Sequence, residues 1–285
     1  MTKLLFNTIF SLVALLPLRL VHAIGAELGR LTFAWSPIYA QRLRDNLRQS
    51  NLSKENFNAL LQQSIREAGK ASMELLWVWK RPQQTVSDSV QQCEGWEHLV
   101  AAQARGKGVI LLTPHWGCFE VIGMYLGARL SLTSLYSPPK QTWLEDIMQQ
   151  GRARGLAKLA PADIKGVRTL LKALKQGELI IILPDQVPSS GEGEWANFFG
   201  KPAYTMTLAG RLARSSGASM IMLSCERLPR GEGYTLRISP LAFDFEQSIP
   251  AQINQALEQE IARNPAQYLW SYNRYKTPKG APPPP

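Results

Sequence analysis

The sequence predicts an α/β protein with a single mixed, largely parallel sheet flanked by helices and an N-terminal membrane-associated helix, on three observations. Short apolar and β-branched runs at Val109–Thr113, Leu132–Tyr136 and Leu179–Leu183 read as buried strands. Segments at helical spacing stand between them, and strand–helix–strand alternation argues for parallel βαβ organisation. With 285 residues, 45% of them hydrophobic, the chain can bury one large core, which excludes wholesale disorder.

At the N-terminus, Lys3 precedes an uncharged, mostly apolar run from Leu4 to Leu18, which Arg19 interrupts before it resumes as Leu20 to Gly29. The uninterrupted run is shorter than the roughly 18 to 20 residues of a confident membrane span. A cleaved signal peptide, with Val21-His22-Ala23 resembling its cleavage site, and a buried helix are both open readings. A third is an uncleaved anchor along the membrane, with Trp35 and Tyr39 at interfacial depth and Arg30, Arg42, Arg44 and Arg48 facing anionic headgroups. The cysteine usage favours the anchor, because Cys93, Cys118 and Cys225 are odd in number, scattered, and suit a reducing compartment.

Beyond Ser53, a plausible N-cap, apolar residues from Phe57 to Trp77 recur at helical spacing, and the pattern ends at Arg81-Pro82. Gln91 to Gln103 reads as a second helix, with His98 a partly buried packing histidine beside Trp96 and Val100. The central stretch is Gly108 to Gly127, a strand stopped by Pro114, a small-residue turn flanked by His115 and Glu120, and an apolar helix. Trp143 to Gln150 is helical and leads to the basic turn Gly151 to Gly155, and Val167 to Lys175 is a basic amphipathic helix. Pro188 to Glu194 is a Gly- and Ser-rich lid or connector whose carboxylates do not suit a phosphate cradle. Tyr204 to Ser215 reads as helix, Ser219 to Ser224 and Tyr234 to Ile238 as a hairpin, Gln252 to Ala262 as a last helix, and the Pro-rich end as frayed.

A net charge of +10, from 32 Lys and Arg against 22 acidic residues, points to anionic partners: nucleic acid, lipid headgroups or acidic carrier proteins. Nucleic acid is disfavoured, since the basic residues are spread along the chain and no recognised module occurs. Three histidines, His22, His98 and His115, at no ligand spacing leave a multi-histidine metal site without material.

Chemistry is expected where a strand hands over to a helix, the place where open α/β sheets bind ligands. Positions five apart sit about 140° around a helix, so His115 and Glu120 meet only if His115 lies in the turn. Glu120 would then bind the Nδ1 proton and leave Nε2 free to take a proton from a hydroxyl. No G-x-S-x-G elbow is present, so that hydroxyl can belong to the substrate. Taken alone, the pair also reads as a strand cap and a favourable anion at a helix N-terminus.

His115-Trp-Gly-Cys-Phe-Glu120 resembles the H-x4-D/E motif of the glycerolipid and lysophospholipid acyltransferase superfamily. Leu183-Pro184-Asp185-Gln186, Phe198-Phe199-Gly200 with Ala203 and Thr205, Leu212 to Ala218, Pro265 to Trp270 and Arg274 to Thr277 are similar to the late (secondary) acyltransferases of lipid A biosynthesis. The resemblance spans nearly the whole chain. It implies an anchor helix over 1–35, an acyltransferase domain over 36–277 and a flexible tail over 278–285. It further implies transfer of a fatty acyl group from acyl carrier protein to a hydroxyl of a hydroxyacyl chain on a Kdo-bearing lipid A precursor, on the cytoplasmic side of the inner membrane. No metal or cofactor is expected, with acyl carrier protein or coenzyme A carrying the acyl co-substrate.

In that reading His115 is the base, Glu120 orients it, and the amides of Trp116 and Gly117 receive the oxyanion. Arg152 or Arg154 takes the substrate arginine's place, with either also readable as a solvated basic turn, and Asp185 matches the acidic position of the next block. Arg274 and Lys276 contact headgroup phosphate or are ordinary tail charges, and apolar residues near Trp116 and Trp195 line the acyl site or plain core. Two departures, Val187 where a further acid is common and Ser271-Tyr272-Asn273-Arg274 where a His-Arg-Arg run is common, bear on acceptor recognition. Competing readings are the same chemistry on a lysophospholipid, aminolipid or glycosylated phosphoinositide, and a non-catalytic basic membrane-binding protein.

Overall fold

The computed structural model describes residues 2–52, 56–139 and 141–285, so the expected cap Ser53 lies outside the described residues. Three helices lead the chain: α1 (Thr2–Leu15), α2 (Leu18–Trp35) and α3 (Pro37–Ser50). Pro17 divides α1 from α2 because its ring cannot continue a helix yet suits the start of the next. A long α4 (Phe57–Lys80) and a short α5 (Gln83–Asp88) follow.

The remainder alternates: β1 (Val90–Glu94), α6 (Trp96–Ala104), β2 (Val109–Leu112), α7 (Phe119–Gly127), β3 (Leu132–Tyr136), α8 (Thr142–Arg152), β4 (Ala157–Pro161), α9 (Ile164–Lys175) and β5 (Leu179–Ile182). Then come the hairpin β6 (Gly193–Phe198) and β7 (Lys201–Met206), α10 (Leu208–Ser216), β8 (Ser219–Arg227), β9 (Tyr234–Pro240) and α11 (Ile249–Arg263). The main sheet runs β1-β9-β8-β2-β5-β3-β4, and its only antiparallel pair among the described residues is β8–β9. Strands β2 and β5 lie at its centre, buried along their full length, which is why both are continuous apolar runs. Alternate residues feed opposite cores, Val109, Leu111, Leu179 and Ile181 on one face and Ile110, Leu112, Ile180 and Ile182 on the other.

The mixed, largely parallel sheet is as expected, with differences at its margins. Val90 to Glu94 is an edge strand on β9, and helix begins only after Gly95, whose φ of 75° breaks the chain between them. His98 is exposed, 3.8 Å from Glu97, and does not pack in a core. Strand β4 and the β6–β7 hairpin replace what reads as loop, and Tyr204 belongs to β7 through pairing with Trp195. These elements are short and two-sided, so their cross-strand partners decide them rather than their own periodicity. The tail touches the domain, with Trp195 Nε1 donating to the Pro282 carbonyl at 3.0 Å.

The N-terminal segment is neither one helix nor peripheral. Helix α2 crosses α4 so closely that a Cβ on Gly69 would lie 2.0 Å from the Gly25 carbonyl oxygen, and one on Gly29 2.3 Å from that of Ile65. Beside the crossing, His22 Nε2 sits 2.5 Å from Glu74 Oε1. Arg227 donates to both Glu74 oxygens at 2.7 and 2.5 Å and to Glu67 at 2.6 Å, and the Tyr234 hydroxyl reaches Glu74 at 3.0 Å. Burial works to raise the Glu74 carboxyl, but the Arg227 charge and the hydrogen bonds from His22 and Arg227 outweigh it and hold it at about 2. Val21 and His22, which resemble a cleavage site, are thus core residues. Among the described residues no helix is long and apolar enough to cross a membrane. The outer face of α2 nevertheless exposes Leu20, Ile24, Leu28, Leu31 and Trp35 at helical spacing, Trp35 with 80% of its surface open.

Candidate active site

Parallel pairing of β2 with β5 sets Leu112 opposite Ile182, so the residues three beyond each strand end, His115 and Asp185, meet outside the carboxyl edge of the sheet. Asp185 Oδ2 accepts the His115 backbone N–H at 2.9 Å, and Oδ1 lies 2.7 Å from Nδ1. A carboxylate only accepts, so Nδ1 carries the proton and Nε2 presents its lone pair. Burial works to raise the Asp185 carboxyl, but attraction to His115 and its ring and backbone hydrogen bonds prevail and hold it below the ordinary value. On the other side of the ring, Gln186 Nε2 stands 3.1 Å from His115 Nε2, and the Phe119 ring meets it edge-on at 4.9 Å.

The expected pairing of Glu120 with His115 is therefore corrected. Glu120 rides the first turn of α7 toward α4 and α8, where Trp79 Nε1 donates to it at 3.0 Å and Arg152 Nε at 2.9 and 3.1 Å, with a further short contact from Nη2. The Arg152 guanidinium also lies over the Trp79 ring, 5.6 Å from its centroid. Burial again works to raise the carboxyl, and Arg152 and Trp79 together hold it below the ordinary value. Both oxygens of Glu120 are thus engaged, and the orienting carboxylate on Nδ1 is that of Asp185.

His115, Glu120, Arg152 and Gln186 line one cavity of about 610 Å³, whose apolar wall includes Phe119, Met124, Leu135, Ile181, Leu183 and Met206. Arg168 of α9 and Arg211 of α10 line it too, and both are exposed. Of the two arginines left open by the sequence, Arg152 faces the cavity. Arg154 braces backbone instead, donating to the carbonyls of Gly151, Val78 and Arg81.

Other expected site residues point elsewhere. The Trp116 amide turns back to the Pro114 carbonyl at 2.7 Å and that of Gly117 to the Gln267 carbonyl at 3.1 Å, so neither is free for an oxyanion. Gly117 is needed for that tight path, since its φ is 58° and a Cβ would lie 1.9 Å from the Cys225 carbonyl oxygen. The Trp116 ring is core, donating to the Asn264 carbonyl at 2.9 Å, and Trp195 packs on Tyr204 away from the cavity. Arg274 is buried and spends its guanidinium on the Tyr204 carbonyl, Thr205 Oγ1 and Asn254 Oδ1, a brace rather than a headgroup contact. Lys276 is exposed, 5.5 Å over the Tyr272 ring, and does not line the cavity. Among the described residues no three His, Cys, Asp or Glu side chains group as a metal site.

A histidine held as one tautomer by a buried carboxylate, with Nε2 turned to a cavity of mixed polar and apolar lining and met there by the Gln186 amide, can deprotonate a hydroxyl that takes the amide's place. Gln186 and Trp79 complete the surroundings of His115 and Glu120. The sequence signals Gln186 only as the neighbour of Asp185, and Trp79 not at all.

The family described as bacterial lipid A biosynthesis acyltransferase matches residues 1–277. The lipid A biosynthesis lauroyltransferase of Escherichia coli (strain K12) is 26% identical over 279 residues, covering 95% of this chain and 90% of its own. The lipid A biosynthesis palmitoleoyltransferase of the same strain is 29% identical over 245 residues, covering 82% and 79%. A phosphatidylinositol mannoside acyltransferase of Mycobacterium tuberculosis (strain CDC 1551 / Oshkosh) is 26% identical over 180 residues, covering 60% and 54%. A match along nearly the whole chain, on a sheet that holds a carboxylate-bound histidine beside a cavity, makes this protein an O-acyltransferase of lipid A biosynthesis and a member of the bacterial lipid A biosynthesis acyltransferase family.

Proposed function

We propose that the protein transfers a fatty acyl group from acyl carrier protein to the hydroxyl of a hydroxyacyl chain on a Kdo-bearing lipid A precursor, at the cytoplasmic side of the inner membrane. The observation that carries the reading is His115, fixed through Nδ1 by buried Asp185 with Nε2 turned to the cavity. The acceptor hydroxyl displaces the Gln186 amide and gives its proton to Nε2 as its oxygen attacks the thioester carbonyl. The tetrahedral intermediate collapses with cleavage of the C–S bond, and the imidazolium returns the proton to the departing thiolate. An ester and a free carrier thiol result, and Asp185 stays ionised throughout.

Glu120 holds Arg152 at the cavity wall, where its guanidinium faces the anionic acceptor. The exposed stripe of α2 supports an enzyme seated on the bilayer with that helix in the interface and Trp35 at headgroup depth.

Mass spectrometry of lipid A from cells lacking the protein, complemented with wild type or His115→Ala at equal protein level, tests the reading. Loss of one acyl mass, restored by wild type alone, is expected. Unchanged lipid A overturns the acceptor assignment in favour of another, such as a glycosylated phosphoinositide, and rescue by His115→Ala overturns the mechanism.

A further inference from the structure

Helix α9 carries Lys165, Arg168, Lys172 and Lys175 at intervals of three and four, which sets all four on one face. All are exposed, and among the described residues none of these charges has an ion-pair or hydrogen-bond partner. No acidic residue lies between Ile164 and Lys175 to offset them. Like charges at this spacing repel along a helix. Most of the other arginines around the sheet are engaged: Arg152 on Glu120, Arg227 on Glu74 and Glu67, Arg237 on Glu94 and Glu226, and Arg154 and Arg274 on backbone oxygens. The α9 stripe is an uncompensated run of charge on a helix held firmly by the core.

The stripe also leads to the site. Arg168, one helical turn from Lys165 and Lys172, lines the cavity that holds His115, and Arg211 of the adjoining α10 lines the same cavity with its charge equally unpartnered among the described residues. Positive charge thus runs along α9 from open solvent to the cavity, where Arg168 and Arg211 stand with the acids Asp163 and Glu192.

We propose that the exposed face of α9 is the docking surface for the acidic carrier protein that brings the acyl thioester. The proposal rests on the reading of the donor given above. Charge complementarity selects the occupant, since every charge on this face is cationic and an acyl carrier of this kind presents acidic side chains. A bilayer fits this face poorly. A helix lying on lipid needs an apolar side toward the acyl chains, and that of α9, with Leu170, Ala173 and Leu174, is spent on the core, which leaves Ile164 at its start as its exposed large apolar residue. The buried side of α1 and the first turns of α2, with Phe10, Leu18 and Val21, packs in the cluster on the opposite face of the sheet, while Phe33 near the end of α2 packs against the cluster that holds α9. In this arrangement the lipid acceptor uses the stripe of α2 and the protein-borne donor the face of α9, and both lead to the cavity.

The test compares the full-length wild type with the triple variant Lys165→Glu, Lys172→Glu, Lys175→Glu in mixed micelles at fixed acceptor. Two donors of equal chain length are used, acyl carrier protein thioester and the carrier-free acyl pantetheine thioester. The variant is expected to raise KM for the carrier-borne donor about tenfold or more with kcat little changed, and to leave turnover of the carrier-free donor as in wild type. Salt should raise the wild-type KM for the carrier more steeply than that of the variant. A carrier with lysines in place of surface acids should bind the variant better than the wild type.

An unchanged carrier KM, with wild type using the carrier well, overturns the docking surface and leaves the donor reading intact. Equal losses with both donors place the lysines in service of the fold or the site and overturn it as well. Wild type that turns over only carrier-free or coenzyme A thioesters overturns the donor reading itself, and the docking surface with it. Loss of binding to phosphatidylglycerol vesicles with an unchanged carrier KM assigns the face to the membrane instead.

Discussion

Two carboxylate–arginine clusters flank the loop from His115 to Cys118, built from the same residue types and put to different ends. In one, Glu74 is closed in by Arg227, His22 and Tyr234, and Arg227 also donates to the Gly117 carbonyl at 3.0 Å. In the other, Glu120 is held by Arg152 and Trp79, but one side of the group faces a cavity, to which the neighbouring His115 turns Nε2 with the Gln186 amide against it. Burial and a depressed carboxyl pKa are common to both. What separates the two clusters is an open side where a ligand can reach a nitrogen, not the strength of the electrostatics.

The comparison can be broken most directly at His115. His115→Ala is expected to lower acyl transfer by about 10³- to 10⁴-fold with little change in melting temperature, measured as turnover and thermal denaturation on the same sample. A comparable loss of stability would move His115 into the structural class. Next, Glu74→Gln should cost about 3–5 kcal/mol of stability by leaving Arg227 buried and underpaired, read as the denaturant midpoint. Glu120→Gln should cost less than half as much, because Arg152 can gain water from the cavity, while activity falls. Asp185→Asn comes third, with kcat down on the order of 10²-fold, the low end of what a positioned base contributes, as the tautomer of His115 is no longer fixed and KM shifts little.

The smallest effect is that of acid. Glu74 has its carboxyl lowered from 4.5 to about 2 on folding, so the stability it supplies is complete above pH 4.5 and is lost as the pH falls toward 2. Chemical denaturation between pH 6 and 3 should show a decline below 4.5 that is shallower in Glu74→Gln, and equal slopes would remove Glu74 from the account.

The sheet was legible because its central strands are buried on both faces and read as unbroken Val, Leu and Ile. His115 was legible for the same reason, as the first histidine after such a strand. Its partner was harder to find, since Asp185 is 70 residues away and becomes adjacent only through the pairing of β2 with β5, which no local pattern encodes. Glu120 drew the assignment by nearness in sequence, and lost it because one helical turn was enough to swing it to Arg152. Arg274 and the amides of Trp116 and Gly117 look available in sequence, where the oxygens that occupy them cannot be seen.

The glycine crossing of α2 on α4 sets a rule for what may be cut or inserted. One residue added between His22 and Gly29 would turn the following part of α2 by about 100° and drive a side chain into the backbone of α4, so this stretch has a fixed length as well as a fixed composition. Trimming the chain to residue 36 to obtain a more tractable fragment would strip His22 from Glu74 and uncover the groove at Gly69. The segment for which a cleaved leader is one open reading packs into the core like any other helix, and its removal is expected to lower the denaturation midpoint.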